Sequence, residues 1–102
     1  MSVVVVATIT PLPGEEDAVR AAIVESIPKV HTEPGCELYA LHEGAGEFVM
    51  VERWESADAL AVHGKADALR SLGAALAGKV AGPPEVRRLT AVPAGDADRG
   101  AL

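Results

Sequence analysis

Residues 36–54 read CELYALHEGAGEFVMVERW, and this stretch decides the fold. Its first half, residues 36–43, mixes apolar and polar side chains in the manner of a β-strand. Residues 48–54 form a second strand candidate, and the short connection between the two contains two glycines. Two strand candidates joined by a short glycine-containing segment predict an antiparallel hairpin.

A strand and a helix are predicted before this hairpin. Residues 3–10 are β-branched apart from one alanine, which is typical of a buried strand. The acidic residues 15–17 suit the positive end of a helix, and apolar residues then recur at helical spacing as far as about His31. Pro28 removes a backbone donor late in this helix, so we expect a kink or an early last turn there. The Thr-Glu-Pro-Gly sequence at 32–35 ends the helix.

A divided helix and a last strand are predicted after the hairpin. Ser56 is a suitable N-cap, and Gly64 interrupts the helix that begins there. Apolar residues at positions 69, 72, 76 and 80 then form a second stripe, which ends at the Gly-Pro-Pro sequence of residues 82–84. Residues 85–92 supply the last strand.

The predicted order is β-α-β-β-α-β. This order folds as a ferredoxin-like α+β domain, with an antiparallel sheet and both helices on one face. We assign residues 1–92 to this domain and expect residues 93–102, rich in Ala, Gly and Asp, to be a flexible tail. The sheet face that the helices leave open would carry Leu38, Val49 and Val51. A second sheet is the natural cover for such a face, so we expect a homodimer.

Composition excludes several classes of protein. The net charge is -6 with no basic stripe, whereas nucleic-acid surfaces need clustered Lys and Arg, so we expect no nucleic-acid partner. Cys36 is the single cysteine, which excludes an internal disulfide and a multi-cysteine metal site and favours a cytoplasmic location. The apolar run at residues 3–7 is too short to span a membrane, so we expect no membrane partner.

Three local patterns resemble the antibiotic biosynthesis monooxygenase family, in order, over about residues 3–92. The EPGC sequence at 33–36, followed by Tyr39, is similar to the family's turn into its second strand. The ERWES sequence at 52–56 resembles the exit from its third strand, and His63 resembles its helix-two histidine.

The resemblance implies a dimeric α+β barrel of the quinol monooxygenase type. Each subunit of such a dimer keeps a pocket between its helices and its sheet. The implied reaction is the oxidation of a quinol, or of a phenolic, polyketide-like aromatic substrate, with O₂ and without metal or flavin. The sequence agrees with this implication, because it contains no glycine-rich dinucleotide fingerprint and only three scattered histidines. We therefore expect no cofactor and no metal.

Three side chains are the candidate catalytic residues. Trp54 can wall an aromatic pocket, offering a flat face and an indole N–H, although a core tryptophan is the plainer interpretation. His63 can take a phenolic proton as a general base, or it can simply make helix contacts. Tyr39 can donate a hydrogen bond to a substrate oxygen, or it can be an ordinary strand tyrosine.

Other polar groups are given structural interpretations. Glu52 lies two residues from Trp54 and needs a partner if it is buried, for which Arg87 or Arg88 is available. Cys36 has no neighbour in sequence that would activate it, so we expect a small buried residue.

Three alternative functions stay open at this point. A non-catalytic small-molecule-binding or accessory dimer is possible, because a fold does not determine a function. An isomerase or lactonase reaction would use the same acid and base residues without O₂. Haem degradation is disfavoured, because Ala7 and either Leu72 or Gly73 stand where the related haem-degrading branch has an asparagine and a haem-ligating histidine.

Overall fold

The structure, a computed structural model, describes residues 2–102. Within this range the elements are β1 (Val3–Ile9), α1 (Glu16–His31), β2 (Cys36–Gly44), β3 (Glu47–Trp54), α2 (Ala57–Gly64), α3 (Asp67–Leu76) and β4 (Glu85–Leu89). The strands form one antiparallel sheet in the order β2-β3-β1-β4. This is the ferredoxin-like α+β arrangement that the sequence predicts, with the β2-β3 hairpin at one side of the sheet.

The divided helix is confirmed, but its second half is shorter than predicted. The Ser56 hydroxyl accepts a hydrogen bond of 3.1 Å from a backbone N–H in the first turn of α2, which is the predicted N-cap. Lys65 and Ala66 separate α2 from α3. The apolar stripe was expected to continue to Val80, whereas α3 ends at residue 76 because Gly78, at a φ of 77°, turns the chain. The first helix, α1, extends as far as the sequence predicts.

The last strand is also shorter than the predicted residues 85–92. It pairs only with β1, so it is the second edge of the sheet, and each of its five residues is exposed. Beyond it, the Asp96 carboxylate accepts hydrogen bonds from the backbone N–H groups of Asp98 and Arg99 and forms a local turn. The mobility of residues 93–102 stays a prediction.

Successive residues of each strand point to opposite faces of the sheet. The register pairs Val5 with Glu52, and both are buried under the helices. The intervening residues of β3, such as Val49 and Val51, lie on the other face and are half-buried. The helix-facing residues of β3 are Phe48, Met50, Glu52 and Trp54. The structure thereby identifies the inward face of β3, a choice that the sequence leaves open because both faces contain apolar residues.

The core lies between that inward face and the helices. From α1, Val19, Ile23 and Val30 are fully buried against it, and Trp54 is the largest side chain with no exposed surface. No helix among residues 2–102 has the length and apolar character needed to cross a lipid bilayer.

Candidate functional site

A cavity of about 750 Å³ opens between the helix-facing side of the sheet and the helices α2 and α3. Its walls are mainly aliphatic, and Val5, Ala7, Ile9, Met50, Leu60 and Leu72 are among the residues that form them. A cavity of this size can hold a ligand of several fused rings. The polar side chains on its wall are Tyr39, Glu52, His63, Lys65 and Arg88.

The three predicted site residues come together in one cluster. The ring centroids of Trp54 and His63 are 4.5 Å apart with an interplanar angle of 29°, so the two rings are stacked. Tyr39 meets both rings edge-on, at centroid distances of 5.5 Å from His63 and 6.5 Å from Trp54. Residues from β2, β3 and α2 therefore meet at one place in the fold.

Trp54 does not occupy the position expected of a pocket wall. Its side chain is completely buried and lies behind His63, so it is not among the residues that line the cavity. Its indole Nε1–H donates a hydrogen bond of 2.8 Å to Glu52 Oε1. Trp54 therefore contacts two of the polar groups that face the cavity, Glu52 and His63, and does not line the cavity itself.

Glu33 holds His63 from the side away from Glu52. The Glu33 residue belongs to the turn between α1 and β2, and its Oε1 lies 2.8 Å from His63 Nδ1. A carboxylate can only accept, so Nδ1 donates and the neutral ring keeps Nε2 free of hydrogen. The sequence showed Glu33 only as part of a turn pattern. No local signal in the sequence pairs it with a helix residue 30 positions later.

The same turn needs a glycine. Gly35 has a φ of 80°, and a Cβ atom at this position would lie 2.5 Å from the Cβ of Ala59 in α2. Its carbonyl accepts a hydrogen bond of 2.8 Å from the Glu55 N–H. This close approach brings the turn that carries Glu33 against the helix that carries His63.

Glu52 has a different environment from the predicted ion pair. It is 5% exposed, and its Oε1 accepts from Trp54 and lies 4.0 Å from His63 Nε2. Among residues 2–102, no arginine lies within ion-pair distance of it, and both Arg87 and Arg88 are exposed. Burial raises the pKa of the Glu52 carboxyl, while the Trp54 hydrogen bond and His63 act to lower it. The predicted arginine partnership is therefore wrong.

Tyr39 faces the cavity as a hydrogen-bond donor. Burial, together with the negative charges of Glu52 and Glu33, raises the pKa of its phenol far above the usual range. The hydroxyl consequently keeps its proton at any ordinary pH and can donate it to a ligand oxygen.

Cys36 is partly buried at the start of β2. Burial and the nearby charges of Glu33 and Glu52 raise the pKa of its thiol, which opposes formation of a nucleophilic thiolate. Among residues 2–102, no three His, Cys, Asp or Glu side chains are grouped as metal ligands.

Comparisons with known proteins agree with this geometry. The family model for antibiotic biosynthesis monooxygenase matches residues 2–74. A Caulobacter crescentus protein proposed to be an antibiotic biosynthesis monooxygenase is 33% identical, with a TM-score of 0.82 over 89% of this chain and 90% of that one. Rv0793 of Mycobacterium tuberculosis is 30% identical, with a TM-score of 0.85 over 94% of this chain and 100% of that one. No curated protein matches.

Proposed function

The chain belongs to the antibiotic biosynthesis monooxygenase family, and on this premise we propose that it is a cofactor-independent monooxygenase. Its substrate in this proposal is a quinol or a phenolic, polyketide-like aromatic compound, and its oxidant is O₂. One observation carries the proposal: Tyr39, Glu52 and His63 meet on the wall of a mainly aliphatic cavity large enough for fused rings. Such a cavity can exclude water from an electron-rich substrate while these polar groups handle its protons.

The first step we propose is removal of the phenolic proton. His63 Nε2 is the base, because its other nitrogen, Nδ1, is occupied by the hydrogen bond to Glu33. The hydroxyl of Tyr39 donates a hydrogen bond to the phenolate oxygen that forms. The phenolate is richer in electrons than the phenol and is the form that can give an electron to O₂.

The oxygen step is balanced without any further reductant. After one electron passes to O₂, the two radicals combine and form a carbon–oxygen bond at a ring carbon that bears hydrogen, para to the phenolate oxygen in a simple phenol and ortho to it in a quinol. The resulting peroxide takes back the proton held on His63. His63 then removes the hydrogen of that ring carbon while the O–O bond breaks, and the departing hydroxide takes this proton and becomes water. The sum is phenol plus O₂ giving quinone plus water, with the four electrons supplied by the substrate.

Trp54 and Glu33 serve this proposal as positioning residues. Trp54 stacks on the His63 ring and donates to Glu52, so it holds both groups at the cavity wall. Glu33 selects the tautomer of His63 and stabilises the imidazolium that forms during the reaction. Glu52, whose carboxyl pKa is raised, is a second group that can hold a proton beside Nε2.

A second candidate is an isomerase that moves a proton within its substrate. The arrangement of His63 with Glu33 at 2.8 Å and Glu52 at 4.0 Å favours it, because an imidazole between two carboxylates can transfer protons without O₂. An isomerase turns over anaerobically, whereas the monooxygenase requires O₂ and incorporates label from ¹⁸O₂.

The assembly we propose is a homodimer formed through the sheet face opposite the cavity, and the compartment is the cytoplasm. The half-buried side chains of Val49 and Val51 on that face support the dimer. Dimerisation through this face leaves the helix side of each subunit free to hold its own pocket.

The test is O₂ uptake by metal-free protein with a panel of quinols and hydroxylated polycyclic phenols. We expect turnover of at least one compound, quinone formation, and a loss of about 100-fold or more in kcat/KM for His63→Gln, the usual contribution of a general base. His31→Gln is the matched control, because His31 is an exposed histidine at the end of α1 that does not line the cavity, and glutamine can keep its hydrogen bond to the Tyr39 carbonyl. If the whole panel is left unchanged, or if His63→Gln and His31→Gln behave alike, the proposal fails.

A further inference from the structure

Two cationic side chains line the cavity in addition to the cluster around His63. Lys65 follows the last residue of α2, and Arg88 lies on the edge strand β4. In the sheet, Val5 pairs with Glu52 on one side and with Arg88 on the other, so Glu52 and Arg88 share the cavity face. Two strand spacings separate Glu52 from Arg88, which puts their Cα atoms about 10 Å apart. The cavity wall therefore carries the acid–base cluster and, two strands away from Glu52, the cation of Arg88.

These two cations lack acidic partners among residues 2–102. Four arginines of the chain do form ion pairs, namely Arg20, Arg53, Arg70 and Arg99. The chain as a whole has 15 acidic and 9 basic residues, yet the cavity wall carries two basic residues and a single acidic one, Glu52. Basic side chains thus outnumber acidic ones on the cavity wall, whereas acidic side chains outnumber basic ones over the whole chain.

Arg87 shows that position matters here as much as charge. It is also exposed and is the neighbour of Arg88, but it pairs opposite Val6 and so points to the other face of the sheet. On that side Arg87 is outside the cavity and lies on the sheet face that we propose for the dimer. Arg88 differs because it lines the mainly apolar cavity, where an anionic group on a bound ligand would meet it.

We infer that the cavity selects an aromatic substrate that carries an anionic group of the carboxylate type, held by Arg88 and Lys65. The aromatic rings lie against the aliphatic walls, and the phenolic oxygen reaches Tyr39 and His63. The Arg88 guanidinium provides paired donors for the two carboxylate oxygens, and the Lys65 ammonium adds a point charge. This inference rests on the proposed function, since it treats the same cavity as the substrate site.

The test compares two probes with the same ring system, 5-hydroxy-2-naphthoate, which carries a negative charge, and its neutral methyl ester. Their binding to the full chain is measured by isothermal titration calorimetry under argon, so that affinity is recorded without turnover. We expect the acid to bind about tenfold more tightly than the ester, a ratio that corresponds to one charged contact. In Arg88→Gln the ratio should fall, and in the Arg88→Gln/Lys65→Gln double variant the two probes should bind alike, whereas Arg87→Gln should keep the wild-type ratio.

The outcomes separate this inference from the proposed function. The inference is overturned if the ester binds as well as the acid, if Arg87→Gln lowers the preference as much as Arg88→Gln does, or if neither probe binds at millimolar concentration. Admission of O₂ to the same samples then tests the chemistry. Selective binding of the acid without O₂ uptake supports the anion site and counts against the monooxygenase, while equal oxidation of acid and ester does the reverse.

Discussion

His63 is held by neighbours from two separate parts of the chain, the turn before β2 and the end of β3. Glu33 fixes one ring nitrogen, Trp54 covers one ring face, and Glu52 lies beside the other nitrogen. Each contact limits the rotation of a side chain that is already 5% exposed. The imidazole is therefore preorganised, and little reorganisation is needed when it exchanges a proton.

Glu52 gives a prediction at this scale, because its buried carboxyl has a raised pKa. When a carboxyl binds its proton more tightly in the folded state than in the unfolded state, the folded state loses relative stability as the pH rises. Glu52→Gln removes the charge and keeps an acceptor for Trp54. We expect this variant to gain stability over wild type as the pH rises above the ordinary glutamate pKa, and the gain to level off above the raised one. Urea unfolding from pH 4 to pH 8 measures it.

Glu37→Gln is the control for that prediction. The hydrogen bond from Ser2 and the interactions with Arg53 lower the pKa of the exposed Glu37 carboxyl, so its contribution has the opposite sign. This variant should lose stability relative to wild type as the pH rises to the ordinary glutamate pKa, by a small amount that salt reduces. A flat or falling difference between Glu52→Gln and wild type would contradict the assignment of Glu52 as a desolvated carboxyl.

The sequence predicted part of this cluster. Tyr39, Trp54 and His63 were identified by resemblance and by the chemistry of their side chains, and they do meet. The sequence did not predict the contact of Glu33 with His63 or the environment of Glu52, because both depend on how a turn packs against a helix. The predicted ion pair between Glu52 and an arginine is wrong for a similar reason. Arg88 lies on the same sheet face as Glu52, but Val5 lies between the two residues.

The turn between α1 and β2 is the element that joins Glu33 to α2. Gly35 meets two demands there, a positive φ and the absence of a Cβ next to Ala59. Gly46, in the β2-β3 hairpin, has a φ of 77° but nothing within 4 Å of its Cβ position. A substitution at Gly46 therefore tests the cost of a positive φ alone, whereas one at Gly35 tests that cost together with the cost of overpacking.

We predict that Gly35→Ala is clearly more destabilising than Gly46→Ala. The hairpin variant should cost about 1 kcal/mol, the usual penalty for a left-handed alanine. The turn variant should cost about 1–3 kcal/mol more, because the added methyl group overpacks the contact with Ala59. Chemical denaturation of both variants measures the difference, and equal losses would show that the turn can move away from α2 at no cost.

The sequence predicts the ends of helices and strands well where local side-chain patterns determine them. It predicts them poorly where pairing with a neighbouring strand determines them. The hairpin and the break after α2 follow from glycine positions and from alternation, which are local properties. Strand β4 ends at residue 89 although its pattern continues to residue 92. Its last pair joins Leu89 to Val4, and only Val3 of β1 lies beyond that pair, so among residues 2–102 no strand residue lies opposite residues 91 and 92. A strand at the edge of a sheet is only as long as its neighbour allows.

The molecule as a whole exposes more surface than a chain of its size ordinarily does. Its accessible surface is 6291 Å², whereas a compact monomer of 10.5 kDa is expected to expose about 5,400 Å². Its radius of gyration of 14.1 Å likewise exceeds the value of about 13 Å expected for a compact domain of this length. An elongated subunit with a half-buried apolar sheet face fits better as one part of a larger assembly.

We therefore predict that the chain is a dimer in dilute solution and that Val51→Glu dissociates it. Val51 lies on the sheet face opposite the cavity, and a carboxylate there would be buried without a partner on dimerisation. Val24→Glu introduces the same charge on α1, where the valine is 53% exposed, and should leave the dimer intact. Analytical ultracentrifugation measures the masses, with circular dichroism to confirm that both variants are folded. A monomeric wild type, or a Val51→Glu variant that stays folded and dimeric, would show that this face is not the interface.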